Sequence, residues 1–146
     1  MTITTPPTAS YVRIQSRLRP EQVNASFADV TALESDIAAR IATHKAVIEK
    51  KLSGVITTPD NQVIAAEALA LRATASLYGS AGYLNPAYWE RANALKAESA
   101  DLIDDLTGII EAGASGIGGT PTSTGGATLS TSNYSIGANG LLVVNG

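Results

Sequence analysis

The chain has 146 residues, 45% of them apolar, which suits one buried core and is too short for two full-sized enzyme domains. It has no Cys and a single His, which excludes disulfides, thiolate metal centres, cysteine nucleophiles and multi-histidine sites. Ten basic against thirteen acidic side chains give a net charge of −3, the opposite of the basic footprint of a general nucleic-acid binder.

Residues 1–7, M-T-I-T-T-P-P, read as an N-terminal extension without the basic and apolar regions of a signal peptide. A short first helix is expected over Thr8–Leu18, capped by Thr8, with Tyr11, Ile14 and Leu18 on one face and Pro20 marking the break after it. A second helix starts at Ser26, where Ser26 and Asp29 have capping-box spacing. Its apolar stripe is Phe27, Val30, Leu33, Ile37, Ile41, Ile48 and Leu52, and Gly54 stands where a glycine would stop it.

Thr58-Pro59 gives a third helix its cap and first residue. Val63, Ile64, Leu71 and Leu77 punctuate an alanine-rich middle, which marks it as the central helix, and the loop Gly79–Gly82 ends it. Asn85-Pro86 repeats the cap-and-proline signal. A fourth helix runs to Ala112 with Trp89, Ala92, Leu95, Leu102, Leu106, Ile109 and Ile110 inward. Connections of about 5–8 residues favour antiparallel neighbours. The expected core over residues 8–112 is therefore all-α, a small antiparallel three- to four-helix bundle. No run approaches the roughly 20 apolar residues that span a bilayer, so no membrane partner is expected.

Composition changes sharply at Glu111-Ala112-Gly113. Residues 113–146 carry no charged side chain, nine of the 13 Gly and ten Ser or Thr, a composition hostile to helix. Residues 113–127 read as a linker. Residues 128–146 read as a short β-hairpin, Tyr134-Ser135-Ile136 and Leu141-Leu142-Val143-Val144 around Asn139-Gly140. An isolated hairpin is marginal in water. An uncharged one whose second strand is L-L-V-V calls for a partner's surface, so residues 113–146 are expected to form an extended docking arm with Tyr134, Ile136, Leu141, Leu142, Val143 and Val144 as its contacts.

Little in the chain carries chemistry. His44 lies between Thr43 and Lys45 with Arg40 one turn earlier and no carboxylate at helical spacing, which is a surface or half-buried helix histidine rather than a general base. Gly113–Thr120 is glycine-rich but follows a helix and precedes none, the wrong context for a phosphate loop. No catalytic residue, cofactor or metal site is expected. Glu98, Asp101 and Asp105 share one helix face in a region, residues 52–112, whose net charge is −5. Three readings fit them: a solvated face, a cation site, or a negative wall toward a channel or subunit boundary. Arg13, Arg17 and Arg19 are either solvated or a contact for an acidic partner or neighbouring subunit.

The order of these features resembles the head–tail connector (adaptor) proteins of long-tailed bacteriophages. Tyr11–Leu18 forms a short first helix ending in Arg17-Leu18. Asp29, Val30, Leu33, Ala38, Ile41 and Leu52 match the pattern of the second helix. Ala65, Ala66, Ala68, Ala70 and Leu77-Tyr78 match the third. The resemblance covers residues 8–112, and the long uncharged tail departs from it. It implies a ring, usually of twelve copies, beneath the portal protein of the DNA-filled head. Such a ring continues the DNA channel without sequence-specific binding and offers a platform to a stopper or tail completion protein.

Two other classes fit the composition. A small terminase-like ring component would carry a basic helix-turn-helix before Ser26, where the chain is too short for one. An unrelated helical interaction module would stay monomeric and ignore portal.

Overall fold

Side-chain caps set the punctuation of the chain in the computed structural model, which describes residues 1–117. Helix α1 spans Ala9–Ser16, and the Thr8 hydroxyl accepts the Tyr11 N–H at 3.1 Å. Helix α2 is one turn, Pro20–Val23. Helix α3 spans Val30–Lys51, α4 spans Pro59–Ala81 and α5 spans Pro86–Ile117. No strand occurs among the described residues, and the expected hairpin over 128–146 lies outside them. The chain divides into two units, Met1–Thr107 and Gly108–Gly146.

Several expected boundaries move, each for a local reason. Pro20 begins a helix rather than only ending one, because its fixed φ suits the first helical position and its missing N–H is one no helix needs there. The Ser26 hydroxyl donates to Asn24 Oδ1 at 2.7 Å within a turn. Asp29 therefore caps α3, accepting the Ala32 N–H at 2.9 Å. Gly54, at φ 90°, takes the left-handed turn expected of it. Helix α4 continues through Gly79 to Ala81. The backbone of α5 continues to Ile117, five residues beyond the composition boundary. One glycine costs a growing helix about 1 kcal/mol, while each added residue closes another hydrogen bond.

The first unit is a bundle of helices. Arg40 on α3 reaches Ser76 on α4, and His44, one turn later, shares a cleft with Arg72, one turn earlier. Partner numbers fall along α4 as they rise along α3, so the two run antiparallel. The same holds for α4 and α5, where Ala68 meets Ser99 and Gly79 meets Trp89. Helix α4 packs against α1, α2 and α3 and is central, as expected. It buries Ala65, Ala68, Leu69, Ala73, Ala75, Leu77 and Ala81. Alanines there let neighbouring helices approach closely, and they pack among larger buried side chains such as Leu69, Leu77, Leu33 and Ile37.

Facing residues differ from the expected stripes. Leu33, Ile37, Ile41, Ile48 and Leu52 are buried, while Val30 is exposed. On α1 the inward pair is Val12 and Ser16, while Tyr11 and Ile14 face solvent. The reason is Arg17, whose left-handed φ of 58° ends α1 and swings Leu18 into the core out of helical phase. Val63 and Trp89 are also exposed, and Leu69 and Ile103 take core positions instead. Residues 1–7, the N-terminal extension, pack on the bundle. Ile3 is buried, its N–H donates to Glu49 Oε2 at 2.8 Å, and Gln62 bonds both the Thr4 N–H and the Thr2 carbonyl. This strap closes the end of the bundle where α3 hands over to α4.

Candidate functional site

Helix α5 is held in one rotation by Ser99, which is fully buried and donates its hydroxyl proton to the Ala68 carbonyl at 2.7 Å. Ala92, Leu95, Ile103 and Leu106 lie along the same buried strip. At about 100° per residue, two exposed strips flank it. Trp89, Asn93 and Lys96 lie on one side, and Glu98, Asp101 and Asp105 on the other.

The first flank opens onto a cleft of about 560 Å³ lined by His44, Arg72, Ser76, Trp89, Asn93 and Lys96 among others. Its two cations, Arg72 and Lys96, come from α4 and α5, His44 joins them from α3, and no carboxylate lines it. Arg40 stands behind, tied to Asp36 at 2.6 Å and to the Ser76 carbonyl at 2.8 Å. Burial, then the charges of Arg72 and Arg40, push the His44 pKa below its ordinary value. His44 is thus a half-buried helix histidine, as its sequence setting indicated, and its surroundings favour the neutral ring. Trp89 is 54% exposed. Its indole N–H donates to the Gly79 carbonyl at 3.2 Å, and the ring lies so close to Gly82 that an added Cβ would overlap it.

The second flank is acidic. Glu98 borders a smaller cleft of about 170 Å³ with Tyr11, Gln15, Glu67, Tyr78 and Arg91, and Asp101 and Asp105 are exposed. Among the described residues no three acidic or histidine side chains converge to hold a metal ion. A third groove, about 660 Å³, lies between the strap and α4 and is lined by Pro6, Pro7, Tyr11, Val63, Ala66 and Ala70 among others.

The three arginines singled out from the sequence part company. Arg13 is engaged within the chain, its Nε 2.6 Å from Glu34 Oε2, and Ser10 donates to the same oxygen at 2.9 Å. These two partners, Arg13 first, hold the Glu34 carboxyl below its ordinary value. Arg19 pairs with Glu21 at 3.0 Å in an exposed setting. Arg17 is exposed at the end of α1. Tyr134, Ile136, Leu141, Leu142, Val143 and Val144 lie outside the described residues.

Sequence reasoning missed Arg72 and Lys96. They join His44 only through the antiparallel register of α3, α4 and α5, which leaves no local spacing signal. No helix among the described residues is long and apolar enough to cross a membrane. Comparison with protein-family models, curated proteins and solved structures finds no match to the chain.

Proposed function

We propose that the chain is a head-to-tail adaptor of a long-tailed bacteriophage. In this reading it forms a ring under the portal, continues the DNA channel and presents a platform to the stopper or tail completion protein. It is made in the host cytoplasm, ends up in the virion at the head–tail interface, and has no catalytic role. The observation that carries the reading is the division of labour along the chain. Among the residues whose side chains are described, the core runs through to Leu106, and the 34 residues from Gly113 onward are uncharged and finish in L-L-V-V-N-G. An uncharged, β-prone end suits strand addition to a partner's sheet or groove, and many copies acting together make weak single contacts durable. The acidic flank suits a channel wall, because affinity for DNA comes mainly from basic contacts to phosphates.

The test compares the full chain with a chain ending at Ile117 in co-sedimentation with purified portal protein. The full chain is expected to sediment with portal, and the shortened chain to stay helical and remain in the supernatant. Equal binding by both, or unfolding of the shortened chain, contradicts the docking-arm assignment. No binding by either contradicts the adaptor reading.

A further inference from the structure

The two flanks of α5 carry opposite charge and face away from each other. On one side His44, Arg72 and Lys96 converge on an open cleft that no carboxylate lines. On the other, Glu98, Asp101 and Asp105 are exposed, with Glu67 and Arg91 beside Glu98. The buried strip of Ala92, Leu95 and Ser99 separates them, so the two strips cannot meet within one copy.

We propose that the His44–Arg72–Lys96 cleft of one copy receives the Glu98–Asp101–Asp105 flank of the next. This rests on the ring reading above and names the surfaces that would build the ring. Different, complementary patches on opposite sides of a subunit make a head-to-tail contact, and such contacts close into a ring when the rotation between subunits permits. Trp89, half out of solvent at the edge of the cleft, supplies a large apolar anchor of the kind that dominates interface energetics. The surrounding charges steer the approach and reject the reversed pairing, in which cation would face cation. A cleft already crowded with positive charge gains most from carboxylates brought by a partner. In it His44 faces Arg40 on its own helix, Arg72 on α4 and Lys96 on α5; Lys45 beside it is paired with Glu49 at 2.9 Å.

Two full-length charge-reversed variants test the contact by sedimentation velocity. One carries Arg72→Glu and Lys96→Glu. The other carries Glu98→Lys, Asp101→Lys and Asp105→Lys. Each alone is expected to lose self-association by about tenfold or more, and an equimolar mixture to recover it, since each acidic cleft then meets a basic flank. Raising salt should weaken the wild-type assembly. If a reversed variant loses its helical circular dichroism, the neutral versions (Arg72→Gln with Lys96→Gln, and Glu98→Gln with Asp101→Asn and Asp105→Asn) are read for the same loss. Variants that assemble like wild type, or a mixture that recovers nothing, overturn the proposal. If the wild type also binds portal, the adaptor reading then survives without this interface. A wild-type chain that stays monomeric and ignores portal overturns both. Saturable binding of inorganic phosphate to the cleft of a chain that stays monomeric assigns the cations to an anion and overturns the subunit contact.

Discussion

The Ser99 hydroxyl sits 2.7 Å from the Ala68 carbonyl oxygen in a fully buried contact between α5 and α4. Together with the buried Ala92, Leu95, Ile103 and Leu106, that contact sets which way α5 is turned, and therefore which neighbours the Lys96 and Glu98 flanks face. The residue is small because the helices meet closely there, and polar because the Ala68 carbonyl can accept a second hydrogen bond.

Substituting Ser99→Ala is expected to destabilise the bundle by about 1 kcal/mol, the usual net value of one hydrogen bond. Ser99→Leu overfills the same space and is expected to cost about 1–3 kcal/mol or more. Urea denaturation of both variants checks the order. A leucine variant as stable as the alanine variant would show that α4 and α5 are not closely packed at this point.

Arg17 adopts the left-handed conformation at φ 58°, which costs a residue with a Cβ about 1–2 kcal/mol. Arg17→Gly is therefore expected to raise stability by about 0.5–1 kcal/mol, whereas Arg17→Ala leaves the strain in place. Thermal melts of the two variants separate a backbone effect, in which only Gly gains, from a side-chain effect, in which both change alike.

Much of the punctuation was legible in the sequence. Thr8, Thr58-Pro59 and Asn85-Pro86 start helices as read, and Gly54 turns the chain after α3, because caps act through neighbouring backbone groups. Facing was harder to read. Tyr11, Ile14, Val63 and Trp89 are large and apolar yet exposed, while Ala68, Ala73 and Ser99 are fully buried. Bulk marks the inward face of α3, where Leu33, Ile37, Ile48 and Leu52 are buried, but where helices meet most closely the inward positions go to small side chains that a hydrophobic stripe does not reveal. The strap around Ile3 was invisible for another reason: an extended segment has no helical period, and its partners Glu49 and Gln62 lie far along the chain. The basic cleft gathers residues from three helices and has no signature in any one of them.

Trp89 lies against Gly82 so closely that a Cβ added there would stand 1.8 Å from the indole nitrogen. Gly82→Ala is expected to expel the ring from its place and break its hydrogen bond to the Gly79 carbonyl. Trp89 is the chain's single tryptophan, so its fluorescence reports the change directly as a red shift. An unchanged spectrum would mean that the ring does not rest on Gly82.

Three shifted groups predict loss of stability in acid, in two steps. The His44 pKa is held below the ordinary 6.5, so the unfolded chain takes up that proton first and stability falls from about pH 6.5 down to the lower folded value. Glu34 and Glu49 are held below 4.5, Glu34 chiefly by Arg13 and Glu49 chiefly by Lys45 and then by the Ile3 N–H. Their stabilisation is full above that pH and is lost as pH falls through their lower folded values. Urea midpoints across pH 3–8 should show both declines, and His44→Asn should remove the upper one alone. A midpoint that rises as pH falls from 6.5 would contradict the assignment.

The measurement that bears most directly on the adaptor reading is native mass spectrometry of the full-length chain mixed with purified portal protein, with imaging of the same particles. A single complex is expected, in which a closed ring of this chain covers one end of the portal. A portal that stays bare while the chain remains monomeric would contradict it.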